Sequence, residues 1–224
     1  MNIEEQIIPY QNIAKKHNAS LVAVSKTKPI SSIESAYKTG QRIFGENKVQ
    51  ELTEKHEQLP KDIEWHMIGH LQTNKVKYIA PFVSLIHAVD SIKLLKEINK
   101  QGKKNNRIIN CLLQLHISTE DEKFGFTYDE LEALFNEDAF ITFQNIKIIG
   151  FMGMATNTEN TKQIEDEFRN LKAFFNLKKK NTTSNIQLTE ISMGMSGDYQ
   201  LALNEGSTLI RIGSAIFGSR NYNN

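Results

Sequence analysis

The stretch Gln187–Ser214, QLTEISMGMSGDYQLALNEGSTLIRIGS, reads as strand, turn, short helix, strand and turn again. Gln187–Ile191 is the first strand, Asp198–Leu203 the helix with Gly206 beyond it, and Leu209–Ile212 the second strand. Two strands joined through a helix make a right-handed parallel unit. The same alternation runs back to the N-terminus. Apolar or β-branched runs at Leu21–Ser25, Arg42–Phe44, Trp65–Ile68, Ser84–Ala88, Asn110–Ile117 and Ile146–Phe151 bring the candidate strands to eight. Eight is the number at which a parallel sheet flanked by helices closes on itself. An open doubly wound sheet usually has fewer strands in a chain of this size. The expected fold is therefore α/β, one (β/α)8 TIM barrel, with residues 1–224 forming a single domain that has no linker, repeat or low-complexity tract.

The segments between the runs have helical periodicity. Ile164, Phe168, Leu171 and Phe175 are spaced four, three and four apart, one face of a helix over Lys162–Leu177. Ser31 and Ser32 are read as the start of a helix that stops at Gly40, and Asp90-Ser91 as the start of one over Ile92–Lys100 that Gly102 ends. Ile3, Ile7, Tyr10 and Ala14 predict an extra helix ahead of the first strand. Lys178–Asn185, KKKNTTSN, reads as a solvated loop at a helix end.

Composition narrows the function. With 27 Lys+Arg against 26 Asp+Glu the net charge is +1, without the basic excess of a nucleic-acid binder. Mean hydropathy is −0.42, and no segment approaches the ~18–20 apolar residues of a membrane span. The N-terminus, MNIEEQII, lacks a signal pattern. The one cysteine, Cys111, has no internal partner, so a reducing cytoplasm is expected.

In a parallel barrel the chemistry sits at the carboxyl ends of the strands, and phosphate groups often bind after strands seven and eight. There the sequence has SMGMSGD, Ser192–Asp198, and RIGSAIFG, with Ser196 in the first loop and Gly213 and Ser214 in the second. Backbone N–H groups at such turns point outward and serine hydroxyls add donors, so the pair reads as a phosphate cup. Either loop alone is equally an ordinary capped turn. Lys26 shares strand parity with Val22 and Val24 and so ends strand one at the barrel mouth, where an amine can form a Schiff base; an exposed lysine like Lys28 is the plainer reading. Arg211 interrupts LIRIG and should face inward with Leu209, its partner either a ligand or Glu190 on the neighbouring strand. A phosphate cup, an imine-forming lysine and an inward arginine point together to pyridoxal 5'-phosphate. A metal-dependent hydrolase using His66, His87 and His116 is the competing reading, but there is no HxH pair or HExxH helix to support it.

Four motifs in order, VAVSKTKP around Lys26, FGENKVQE around Asn47, WHMIGHLQTNK from Trp65 to Lys75, and SMGMSGDYQLAL through GSTLIRIGSAIFGSR, resemble those of the pyridoxal phosphate homeostasis proteins, the YggS/PROSC type. These proteins look like the barrel domain of alanine racemases standing alone, fold-type III among pyridoxal-phosphate binders. The resemblance runs from Leu21 to Arg220. It implies that Lys26 carries the cofactor as a Schiff base, and that Ser196, Gly213 and Ser214 hold its phosphate. It also implies that Arg211 meets the pyridine nitrogen and that Asn47 lies near the ring face or the 3' oxygen. His70 and Asn74 belong to a family motif without an assigned role.

An arginine there only donates and stays charged, so the ring nitrogen stays unprotonated and the ring is a weak electron sink. Racemases offset this with a second base from another domain, and the chain ends at Asn224, shortly after strand eight, without one. The expected role is cofactor binding and amino- and keto-acid homeostasis without established turnover. The expected protein is a monomer that hands pyridoxal phosphate to apo-enzymes. The alternative is a pyridoxal-phosphate racemase or decarboxylase using Tyr199, His70 or a neighbour of Asn47 as second acid or base.

Overall fold

Residues 2–120, 124–136 and 140–218 are described by a computed structural model. Eight strands, β1 (Ser20–Val24), β2 (Ile43–Glu46), β3 (Glu64–Met67), β4 (Leu85–Val89), β5 (Ile109–Gln114), β6 (Ile146–Met152), β7 (Ile186–Met195) and β8 (Leu209–Ile212), pair in sequence order into a closed parallel barrel. Helix α1 (Ile3–Lys16) precedes β1. Then α2 (Ile30–Lys38), α3 (Val49–Gln58), α4 (Val76–Ile79), α5 (Ile92–Lys104), α6 (Tyr128–Asn136), α7 (Thr161–Lys178), α8 (Tyr199–Asn204) and α9 (Ser214–Phe217) follow one strand each. The α/β barrel and the extra N-terminal helix are those expected from the sequence.

Alternation along the strands sorts the core into two parts. Val22, Leu85, Ala88, Leu112, Met152 and Leu209 point inward and fill the barrel. Residues of the opposite parity, among them Ala23, Ile86, Cys111, Leu113, Ile210 and Ile212, face out and pack beneath the helices. Cys111 is a fully buried packing residue, and Trp65 is likewise fully buried.

Three helix boundaries differ from expectation. Ser31 and Ser32 lie inside α2, whose first turn is set by Pro29, with its fixed φ, rather than by a serine cap. Gly40 does end that helix, at φ 88°. Gly102 lies inside α5 because the helix lies against the chain before β6; a Cβ there would sit 2.5 Å from the Asn145 carbonyl oxygen. Lys178 is not solvated. It is the last residue of α7, 4% exposed, with its amine 2.5 Å from Glu132 of α6 and above the Phe135 and Phe174 rings. Asn185, at the other end of the expected loop, is buried and donates to the carbonyls of Phe140 and Phe143.

Gly150 of β6 lies against the backbone of β7, and a Cβ there would sit 1.6 Å from the Glu190 carbonyl oxygen. Gly150→Ala is expected to cost about 3 kcal/mol or more in urea unfolding, because backbone cannot give way as a side chain can. Gly197→Ala, whose Cβ meets nothing within 4 Å, is expected to unfold like the wild type.

Candidate functional site

Barrel closure pairs β1 with both β2 and β8, so the ends of β1, β2, β7 and β8 ring one mouth. A cavity of about 450 Å³ opens there. Lys26, Asn47, Ser196, Arg211, Gly213 and Ser214 all line it. So does His70, whereas Asn74 lines a separate groove beside Asp90 and Lys93.

The two serine loops meet. The SMGMSGD turn is folded back by Asp198, whose carboxylate accepts from the Met195 amide at 2.6 Å, while Gly194 takes a φ of 90°. That turn carries Ser196 to the start of α9, where the Gly213 amide donates to Ser196 Oγ at 3.4 Å and Ser214 Oγ lies 3.5 Å from it. A backbone amide and two hydroxyls thus converge at the cavity wall, a donor set suited to an anion. Lys26 follows β1 on the same wall, half-buried. Asn47 Oδ1 is buried without a hydrogen-bond partner, and Gly69, where a Cβ would sit 2.7 Å from Asn47, leaves the room in which that residue packs.

Arg211 faces inward as expected but does not pair with Glu190, whose carboxylate accepts from Thr208 Oγ1 at 2.6 Å on the far side of β7. Glu190 and Ser192 would share a face of a regular strand, but the β6–β7 register shifts beside Glu190, and Ser192 is the one that meets Arg211. Arg211 donates to Ser192 Oγ at 2.6 Å and to the Gly153 carbonyl at 3.1 Å. Ser192 continues to His87 Nδ1 at 2.9 Å, and His87 Nε2 to His66 Nδ1 at 3.0 Å. Arg211 can only donate, so Ser192 accepts from it, and His87 and His66 continue the hydrogen-bonded chain from β7 to β3. Burial holds both imidazoles neutral, His66 down to about 3 and His87 well below its ordinary value, the latter helped by His66 and Arg211. Burial also lowers Arg211 to about 10, against the Asp198 carboxylate, and it remains charged at neutral pH.

His66 and His87 are therefore links in a hydrogen-bond chain. His116, whose amide pairs with the Phe126 carbonyl, stands apart from them. No group of three or more His, Cys, Asp or Glu is gathered for a metal among the described residues. Tyr199 packs edge-on against Tyr10 of α1, outside the barrel, and does not line the cavity. Lys28, read from the sequence as an exposed lysine, lines the cavity and donates to the Gly218 carbonyl at 3.0 Å, and sequence reading passed over Met152, the last residue of β6. The post-strand rule applied after β1 and β8 would have reached Met152.

The sequence matches the family described as alanine racemase, N-terminal domain, over residues 2–221. It is 38% identical over 205 residues to a pyridoxal phosphate homeostasis protein of Aquifex aeolicus, covering 91% of this chain and 88% of that one. The chain belongs to the pyridoxal phosphate homeostasis protein family. Among solved structures, PipY of Synechococcus elongatus PCC7942 with PLP bound superposes with a TM-score of 0.85 at 32% identity, over 96% of this chain and 100% of that chain. The alanine racemase of Streptomyces lavendulae shares the fold, with a TM-score of 0.76 at 14% identity over 97% of this chain and 56% of that one.

The buried histidines make stability pH-dependent. The folded value of His66, about 3, lies below its ordinary 6.5, so the unfolded chain takes up the proton first. The contribution is complete above the ordinary value and is lost as pH falls through it toward the folded one. It is on the order of a few kcal/mol. The melting temperature is expected to fall on acidification from pH 7 to 4 while the His66 ring signals in NMR stay neutral; a folded His66 titrating at its ordinary value contradicts this.

Proposed function

We propose that the whole chain serves as one domain that binds pyridoxal 5'-phosphate in this cavity. In this reading it acts as a cytoplasmic monomer in vitamin B6 and amino- and keto-acid homeostasis. One observation carries the proposal: the Lys26 amine, the Ser196–Gly213–Ser214 donor cup and the Arg211 guanidinium line the same enclosed space. The residues suit the group. The cup offers an amide and hydroxyls to a phosphate, and Asn47 lines the same cavity. Relatives named for pyridoxal phosphate homeostasis, and a neighbour solved with PLP bound, support the same assignment.

When bound, the cofactor supplies an aldehyde that condenses with a primary amine and a ring that withdraws electrons. Lys26 provides that amine, and the cup orients the phosphate toward the β7–β8 side. Arg211, held by Ser192 and the Gly153 carbonyl, presents a charged donor that keeps the ring nitrogen unprotonated. A weak electron sink suits retention and release better than carbanion chemistry, so we assign the protein a holding role that ends in delivery to apo-enzymes. A second reading, amino-acid turnover in the same cavity, draws on His70. Its Nδ1 is 2.9 Å from Asp90 at the mouth, a geometry open to proton transfer.

Purified with the cofactor, the protein is expected to be yellow. Borohydride is expected to abolish the long-wavelength band and leave the added mass on the Lys26 peptide. Lys26→Ala should lose both signatures, and label on another lysine would refute the assignment. Cofactor transfer to an apo-enzyme is expected to slow in Lys26→Ala; an unchanged rate counts against the delivery role. Wash-out of α-deuterium from amino acids at catalytic rates would replace the holding role with the second reading.

A further inference from the structure

A buried charge cluster lies behind the mouth, and none of its side chains lines the cavity. Its centre is Lys55 of α3, 5% exposed. The ammonium donates to the Ser25 carbonyl at 2.8 Å, to Glu46 Oε1 at 2.7 Å and to Glu51 Oε1 at 2.7 Å. An ammonium has three donors, and these three acceptors use them all. The two carboxylates reach the same segment of chain. Glu46 Oε1 accepts from Ser25 Oγ at 2.6 Å, and Glu51 Oε1 accepts from the Thr27 amide at 2.5 Å.

These contacts fall on the two peptide groups that flank Lys26. The Ser25 carbonyl belongs to the peptide before it, and the Thr27 amide to the peptide after it. Holding both fixes the backbone of Lys26 from outside the cavity. The hold acts on a strained turn, since Thr27 has a φ of 63°, a left-handed conformation that a β-branched residue adopts only when its surroundings impose it. The Ser25 amide adds a bond to the Gly45 carbonyl at 3.0 Å, which continues the β1–β2 ladder up to the turn.

We propose that Lys55, with Glu46 and Glu51, is a positioning residue that clamps the peptides on either side of Lys26 and so aims its amine into the cavity. The proposal rests on the reading of Lys26 as the point of cofactor attachment. The cluster meets both of these peptides, one through the Lys55 ammonium and one through the Glu51 carboxylate. Replacing a buried ion pair by packed apolar side chains is often neutral or stabilising, so stability alone does not account for the cluster.

The test separates attachment from binding. Pyridoxine 5'-phosphate has the ring and the phosphate but no aldehyde, so it reports on the cup and on Arg211 without Lys26. Pyridoxal 5'-phosphate reports on Lys26 through its absorbance band and through borohydride labelling of the Lys26 peptide. Two variants are compared with the wild type. Lys55→Met removes the centre, and Glu51→Ala, at a partly exposed residue, releases the Thr27 amide while leaving the Lys55–Glu46 pair intact. Both are expected to bind pyridoxine 5'-phosphate within about twofold of wild type but to attach pyridoxal 5'-phosphate at least about tenfold more slowly, as a misaimed reacting group would. If Lys55→Met fails to fold, Glu51→Ala decides. Equal losses for both ligands, or attachment at the wild-type rate, overturn the clamp alone. Absence of label on Lys26 in the wild type overturns the cofactor reading and the clamp with it.

Discussion

The pairing of the first strand with the last holds this site together. Val22 of β1 sits beside Arg211 of β8, and Ala23 beside Ile212, in the register that closes the barrel. Closure brings the two ends of the chain's strand order side by side and sets a lysine from one end next to the serine loops of the other. The same register has a cost. Because Leu209 fills the interior, Arg211 two residues on must also point inward and carry a charge into it. The site exists where the barrel accepts that charge.

The barrel accepts it with a polar thread that displaces part of the apolar core. Ser192, His87 and His66 occupy interior positions on β7, β4 and β3, and each passes one hydrogen bond to the next. Their neutrality fits the arrangement. Two imidazolium charges near a guanidinium in a buried space would repel one another, and burial keeps both rings uncharged. Arg211 is thereby fixed with its charge intact and a single hydrogen-bonded orientation. On the other side of β1, a second buried cluster around Lys55 does for the backbone what this thread does for the guanidinium. Two side chains central to the proposed function are thus each held by groups outside the cavity.

How much of this could be read in the sequence follows from the range of the interactions involved. The strands and α7 were legible because alternation and 3.6-residue periodicity are local. The positions of Lys26, Ser196 and Arg211 at one mouth followed once eight strands were counted, because closure then determines which strand ends are neighbours. Of the two partners expected for Arg211, a ligand or Glu190, the carboxylate is not the one it meets. Glu190 and Ser192 have the same parity on β7, so alternation does not tell them apart, and the register shift beside Glu190 that does leaves no local mark in the sequence. Lys178 read as solvated because Glu132 and the phenylalanine rings that cover it come from α6 and from the preceding turn of α7. Lys55, on a polar helix and flanked by Glu51 and Glu54, carried no local sign of burial. Its acceptors at Ser25, just past β1, and at Glu46 of β2 become neighbours only when α3 docks on the barrel.

The most direct test of the central claim is a crystal structure of the protein grown with pyridoxal 5'-phosphate. The account requires continuous density from Lys26 Nζ to the cofactor, the phosphate against Ser196, Gly213 and Ser214, and the Arg211 guanidinium within hydrogen-bonding reach of the ring nitrogen. A cofactor bound elsewhere on the barrel, or a phosphate seated away from the β7 and β8 loops with Lys26 turned to solvent, would contradict it.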